Sequence, residues 1–442
     1  MSFDLLIKGG HLPDGAVRDI GIKGDRIAAV DAKLPEEAGK IIDARGQLVS
    51  PPFCDPHFHM DATLSYGKPR VNQSGTLFEG IALWGELRQI ATREEMINRA
   101  LAYIDWAVSM GLLATRSHVD TTPDHMRGVE AMLEVKERVK SYFDLQLVAF
   151  PQDGYYRAPQ NIKNVERALD MGVDIIGGIP HAERTMEDGR LAVIAQCEIA
   201  AKRGLMIDLH CDESDDPLSR HIETLAAETK RLGLQGCAVG SHCTSMHSMD
   251  NYYAGKLINL IAESGVAIVP NPLINITLQG RSDTYPKRRG LTRVPELLKA
   301  GVLVGYGQDC VLDPWYALGN ADMLDVAFMG LNATLMTSPP EMRATYDLVT
   351  INSAKLMGLE DYGLAVGCKA SLVILEANDP VEAIRLRANR TTVISKGKIV
   401  AERPSASATS ISSAASTTLL LVSMYPSGLL MTPDPKLNCR SS

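Results

Sequence analysis

Between residues 48 and 309, short apolar runs that end in polar residues alternate with stretches of helical periodicity. Runs at 48–57, 112–118, 145–152, 174–181, 205–210, 238–242, 267–271 and 302–309 read as strands. Between them, Met96, Ile97, Ala100, Leu101, Ile104 and Val108 recur at helical spacing, as do Val129, Met132, Leu133 and Val139. Eight strands alternating with helices predict an α/β fold of the (β/α)8 TIM-barrel type. An open doubly wound sheet is the competing architecture.

A simple barrel takes roughly 250 residues, so a chain of 442 leaves room for a second unit. Segments 4–8, 19–22 and 26–30 read as short strands, with turns at Gly9-Gly10 and Lys23-Gly24-Asp25. The same texture returns at 371–375, 392–394 and, after the turn Lys396-Gly397-Lys398, at Ile399-Val400. Two distant β-rich ends are best accommodated by pairing, because chain ends often lie close together. The expectation is a small β-sandwich domain from 1–50 plus 360–402, around a barrel at 51–359. The tail at 403–442 is rich in Ser, Ala and Thr, and reads as disordered.

The net charge of -8, with no basic run beyond Lys287-Arg288-Arg289, argues against a nucleic-acid partner. The eight cysteines are dispersed without a C-x-x-C pair, so neither a zinc ribbon nor a thioredoxin-like motif is indicated. Dispersed cysteines, no signal-peptide pattern and no run of ~18 apolar residues lead to the expectation of a cytoplasmic protein without a membrane partner.

Barrel enzymes carry their chemistry at the C-terminal ends of strands. The first strand ends in His57-Phe58-His59, the fifth in His210, the sixth in His242 and the eighth in Asp309. Period-two alternation turns His57 and His59 to one side, so one strand offers two imidazoles to one ion. A further histidine and a carboxylate complete a nitrogen and oxygen set suited to zinc, iron or a similar divalent ion. A lone strand histidine is usually a satisfied polar residue; four strand ends with suitable residues make coincidence the weaker account. His181-Ala182-Glu183 matches the H-x-E of another zinc deaminase class, but the P-C-x-x-C partner motif is absent. It reads as a strand end lining the pocket, or as structural.

These features resemble the amidohydrolase superfamily and, within it, the bacterial cytosine deaminases. The resemblance covers about residues 1–402. It is carried by Pro51-Pro52-Phe53-Cys54-Asp55-Pro56-His57-Phe58-His59-Met60-Asp61, Asn72-Gln73-Ser74-Gly75-Thr76-Leu77-Phe78-Glu79-Gly80, Val148-Ala149-Phe150-Pro151-Gln152 and His210-Cys211-Asp212-Glu213. Further carriers are Ser241-His242-Cys243-Thr244, Asn271-Pro272-Leu273-Ile274-Asn275-Ile276, the stretch from Leu278-Gln279-Gly280 to Gly290, and Asp313-Pro314-Trp315-Tyr316. The resemblance implies one divalent ion, Fe2+ or Zn2+, held by His57, His59, His210 and Asp309. It makes His242 and Asp309 catalytic beside a proton shuttle, Glu213. Gln152 would hold the amide edge of a pyrimidine, and Leu77, Cys310 and Trp315 would line the pocket. The binuclear members' lysine late on the fourth strand is missing from 171–186, which fits one ion. The resemblance also implies a homo-oligomer.

The implied reaction is hydrolytic deamination of a free nucleobase: cytosine to uracil, or 5-methylcytosine to thymine. The pattern departs at Gly307-Gln308-Asp309-Cys310, where cytosine deaminases typically carry a second Asp in place of Cys310 and often a His in place of Gln308. A smaller, uncharged wall would open space for a substituent on ring carbon 5, making 5-methylcytosine as good a substrate as cytosine or better. Isoguanine or an aminated triazine is the alternative substrate on the same site. A non-catalytic metal-stabilised scaffold is less consistent with the retained Glu213.

Overall fold

A computed structural model describes residues 2–403; the expectation for the Ser/Ala/Thr-rich tail lies outside the described residues. Seven parallel strands run in barrel order: Phe53–Phe58, Leu112–Asp120, Asp144–Phe150, Ile175–Gly178, Met206–Cys211, Ala238–His242 and Ala267–Val269. The eighth place is filled by the segment 303–309, within the run 302–309 expected as a regular strand. It is held instead by isolated parallel bridges, Val304 to Ile268 on one side and Asp309 to Phe58 on the other. These bridges close the sheet, so the barrel expectation holds over the open doubly wound alternative.

The run 48–57, expected as one strand, divides at Pro51-Pro52, which cannot donate to a ladder. Leu48–Ser50 joins the small sheet and Phe53–Phe58 opens the barrel. Most of the barrel strands are buried on both faces, one towards the barrel axis and one under helices such as Arg93–Ser109 and Arg127–Val139. Those two helices bury most of the expected periodic positions, among them Ile97, Ile104, Val129 and Met132, while Leu101 and Leu133 are half-buried.

Alternation sorts the barrel interior into two layers. The lower layer is apolar and small-residued, with Cys54, Ala114, Val239, Ala267 and Val269 packed on Ala354 and Leu356 from the helix Ile351–Leu356. Two residues beyond Ala114, Val239 and Val269 the interior becomes polar: Arg116, Ser241 and Asn271. His118 and His210 follow towards the strand ends. The first strand changes parity between Cys54 and His57 through register shifts around Asp55 and Pro56, as expected of a proline inside a strand.

The chain ends do pair. Phe3–His11, Val17–Lys23, Arg26–Asp31, Ala38–Asp43 and Leu48–Ser50 join Leu372–Leu375, Arg390–Ser395 and Lys398–Glu402 in one eight-stranded sheet. It curls so that Ile27 donates to the Cys368 carbonyl, 3.0 Å. Its own core sets Ile7, Ile20 and Ile22 against Leu372, Ile374 and Ile394. The two layers expected of a sandwich are therefore parts of one hydrogen-bonded sheet. Val373, Leu375 and Val393 belong instead to the main core. No helix among the described residues is long and apolar enough to cross a membrane.

One buried ion pair joins sheet and barrel. Arg390 reaches Asp322, the N-cap of the helix Met323–Thr334, with its Nη1 3.0 Å from Oδ2 and its Nη2 on Oδ1. Removing one partner leaves the other charge buried and alone, at a cost of about 3–5 kcal/mol. Arg390→Ala is therefore expected to lower the denaturant midpoint of the whole chain strongly. A shift no larger than that of a surface substitution, within ~0.5 kcal/mol, would contradict this role for the pair.

Candidate active site

The mouth of the barrel gathers the strand-end residues into one buried cluster. His59 Nε2 lies 3.1 Å from His210 Nε2 and 3.3 Å from Asp309 Oδ1, and His57 Nε2 lies 3.5 Å from the same oxygen. Donors at about 2.0–2.1 Å from a tetrahedral ion stand about 3.3 Å from each other, so these separations fit one ion. The bare His57 Nε2, buried and without a hydrogen-bond partner in the structure, points to the same conclusion.

Two residues of this cluster depend on unusual backbone. Ser241 faces the barrel axis, so regular alternation would turn its neighbour His242 outward. His242 has φ +67° and turns back inward. Asp309, at φ +70°, breaks its segment in the same way. Left-handed conformations at such residues cost roughly 1–3 kcal/mol and persist where the surroundings impose them. His242 is held by the Asn275 amide, 2.9 Å from Nδ1, and its Nε2 lies 3.8 Å from Asp309 Oδ2. With the amide donating, the ring carries its proton on Nε2, towards Asp309.

Glu213 follows Asp212, another left-handed residue at φ +53°. The Asp212 carboxylate accepts from the Ser219 hydroxyl (2.7 Å), from His221 through its backbone N–H (3.0 Å) and its ring Nδ1 (2.8 Å), and from the Ile222 N–H (2.8 Å), which shapes the loop. Glu213 Oε1 ends 3.6 Å from His242 Nδ1. Burial, and then the nearby Asp309 charge, hold the Glu213 carboxyl well above the usual carboxylate range. Asp309 is held well below that range: burial opposes its charge, but the neighbouring imidazoles of His57, His59 and His242 outweigh burial. Burial first, then neighbouring imidazoles, push His210 well down; burial also pushes His242 down against the pull of Asp309.

Above the cluster lies a cavity of about 260 Å³. All four residues expected to bind substrate, Leu77, Gln152, Cys310 and Trp315, line it, as do Glu213, His242 and Asp309. Leu77 begins the helix Leu77–Ile90, capped by the Thr76 hydroxyl on the Glu79 N–H. Asn72 ties that turn to the Pro314 carbonyl at 3.1 Å. Trp315 is set by Asp313, whose carboxylate accepts from the Trp315 and Tyr316 N–H groups at 2.9 Å each. The Trp315 ring lies 5.7 Å from that of His59. The Cys310 thiol is buried and pushed well up by that burial, so it is neutral. His181 reaches the cavity and its Nδ1 lies 3.1 Å from the His210 carbonyl. Glu183 instead accepts from the Tyr155 and Tyr156 N–H groups, a structural role.

The sequence reading missed His118, Arg116, Asp208 and Ser241. His118 packs its ring 4.2 Å from that of His57. The signal was available as period two, since Arg116 precedes His118, and Asp208 precedes His210, by two residues. The apolar lining from Phe78, Ile81, Met186, Ile274 and Leu278 carries no sequence signal either, because three separate helices, Leu77–Ile90, Met186–Arg203 and Pro272–Leu278, assemble it.

A barrel of this kind, with imidazoles and a carboxylate at its mouth that could hold a metal ion, defines a hydrolase class, and residues 40–401 match the model of the amidohydrolase family. The chain belongs to that family and is a hydrolase acting on C–N bonds. It is similar to the crystal structure of 5-methylcytosine deaminase from Klebsiella pneumoniae liganded with 5-fluorocytosine: 40% identity, TM-score 0.88, 90% of this chain and 97% of that one. It is 30% identical to N-isopropylammelide isopropyl amidohydrolase of Pseudomonas sp. (strain ADP), over 90% of this chain and 97% of that protein. It is 29% identical to pterin deaminase of Rhizobium rhizogenes, over 88% and 86% respectively.

Gly307 is a tight point in the frame of this site. A Cβ there would press on Asn271 Oδ1 and stand 2.7 Å from His57 Cβ. Overpacking of this kind costs typically ~1–3 kcal/mol. Gly307→Ala is expected to lower the thermal midpoint accordingly and to displace His57, seen as altered imidazole resonances in NMR; an unshifted spectrum would show that the space is not limiting.

Proposed function

We propose that the chain deaminates a free pyrimidine base by hydrolysis, converting 5-methylcytosine to thymine and ammonia, and cytosine to uracil and ammonia. The observation that carries this reading is the neutral Cys310 thiol, buried in the cavity wall directly after Asp309. A cavity of about 260 Å³ is below the roughly 300–1,000 Å³ of pockets for drug-sized ligands, which suits a single-ring base. The solved 5-methylcytosine deaminase, at 40% identity, supports the same substrate.

His57, His59, His210 and Asp309 would hold the ion, and iron or zinc suits this donor set. A divalent ion there supplies Lewis acidity and activates water at neutral pH. Gln152 holds the amide edge of the base, while Leu77 and Trp315 confine the ring. His242 directs its Nε2–H towards Asp309 and so orients that carboxylate. Glu213 carries a proton from the attacking water to ring nitrogen 3, and then one to the departing amine. A raised pKa suits a carboxyl that must take up a proton and hold it until it is handed on. Glu213→Gln is expected to reduce kcat by about 10²–10⁴, with bound metal and thermal midpoint near native. Retained turnover removes Glu213 from the proton path.

The specificity claim is tested with metal-replete protein and a panel of bases. The native enzyme is expected to turn over 5-methylcytosine at least as well as cytosine, measured as kcat/KM for ammonia release. Cys310→Asp is expected to move the ratio towards cytosine by roughly 10–200-fold, the worth of about one methylene in an apolar pocket. A strong native preference for unsubstituted cytosine overturns the role given to Cys310. The relative that acts on N-isopropylammelide, an aminated triazine, favours a second reading in which the base is a triazine; the same panel decides between the two.

A further inference from the structure

Beneath the cavity, a buried polar chain leads away from His57 into the barrel. Arg116 Nη1 lies 2.9 Å from Asp208 Oδ2, and both side chains are fully buried. Ser241 Oγ lies 2.9 Å from Asp208 Oδ1 and 2.9 Å from His57 Nδ1. Three different strands supply these groups: Leu112–Asp120, Met206–Cys211 and Ala238–His242.

We infer that Ser241 and Asp208 are positioning residues for His57, and that the chain Arg116–Asp208–Ser241–His57 selects the tautomer in which Nε2 is unprotonated. This rests on the reading of His57 as a metal ligand. Each step follows from donor and acceptor capacity. Arg116 can only donate, so Asp208, paired with it, acts as an acceptor. Ser241 has one hydroxyl proton, and Asp208 takes it. The Ser241 oxygen then has only lone pairs to offer His57, so the ring proton sits on Nδ1. Nε2 is left with a free lone pair, 3.5 Å from Asp309 Oδ1, and without a hydrogen-bond partner in the structure.

His57, His118 and Asp208 also lie close enough to hold an ion, with candidate donor atoms within 4.8 Å of one another. Arg116 argues against a second ion there, because its guanidinium already neutralises Asp208 and would repel another cation. Groups behind a ligating histidine orient the ring and raise its basicity, and losing one typically costs 10–100-fold in metal affinity. Ser241 and Asp208 stand in that place here, with Arg116 bonded to the far oxygen of the carboxylate.

The test measures Zn2+ affinity of the full-length chain against a competing chelator, with bound metal counted by elemental analysis. Ser241→Ala is expected to weaken Zn2+ binding about 10–100-fold, with turnover returning at high Zn2+. Ser241→Thr, which keeps the hydroxyl, is expected to bind nearly as the native chain does. Cys243→Ala, which removes a buried sulfur from the same strand end without touching the chain to His57, is expected to retain its Zn2+. Native-like Zn2+ affinity in Ser241→Ala overturns the inference, and so does an equal loss in Cys243→Ala. If Ser241→Ala does not fold, the double variant Arg116→Met with Asp208→Asn removes both charges together and is expected to show the same loss; unchanged affinity there again overturns it. A His57→Ala chain that holds Zn2+ as tightly as the native one would instead refute the ligand role of His57, an outcome separable from failure of the relay.

Discussion

Closure of the barrel by the segment 303–309 is the constraint on which the rest of the molecule depends. Ile268 donates to the Leu303 carbonyl at 3.0 Å, Gly305 to Ile268 at 3.1 Å and Gly307 to Pro270 at 3.1 Å. On the other side Asp309 donates to the His57 carbonyl at 2.8 Å, and His59 to the Asp309 carbonyl at 3.1 Å. These bonds bring the last acid of the barrel beside the first two histidines. A slip of one residue would turn every side chain of the segment to its opposite face. Asp309 would then leave the cluster, and Gly307 would no longer meet His57 where a side chain does not fit.

The polar layer at the mouth carries costs that the apolar layer below it does not. Buried charge is tolerated where it is paired and hydrogen-bonded. Arg116 with Asp208, and the imidazoles around Asp309, meet that condition. The histidines most strongly shifted, His118, His210 and His242, are driven by burial towards their neutral forms. Neutral imidazole is the form that ligates a metal, so burial favours a state ready for the ion. The left-handed residues His242 and Asp309 add local strain, and the surrounding packing maintains it.

Fold and family define a hydrolase, but one fold hosts many substrates. What distinguishes this chain is the wall of its cavity. Leu77 and Trp315 are set by two turns that Asn72 ties together across Pro314. Cys310 stands where a carboxylate is usual in the cytosine deaminases that the sequence resembles. In the proposed reading, substrate choice rests on a few side chains at a helix start and in the turns beside it, which are themselves fixed by capping and turn hydrogen bonds.

Much of this was legible from one sequence. Alternating apolar runs specify strands and helices because burial repeats every two or 3.6 residues, and eight such units leave few ways to pack. His57, His59, His210, His242 and Asp309 stood out because each ends a strand, where barrels carry their chemistry. Other features needed the folded chain. The run 48–57 belongs to two sheets, and the eighth strand is a set of bridges, because pairing partners and not local periodicity decide where a ladder stops. His242 and Asp309 face inward against strict alternation, by virtue of positive φ that no pattern of residue types records. Arg116, Asp208 and Ser241 are ordinary polar residues in sequence, and only closure of the barrel places them in contact behind His57. The sequence by itself determined which residue types stand at the ends of the strands; the tertiary structure decided which atoms they present to one another, because hydrogen-bond direction and register are set by contacts between residues far apart in the chain.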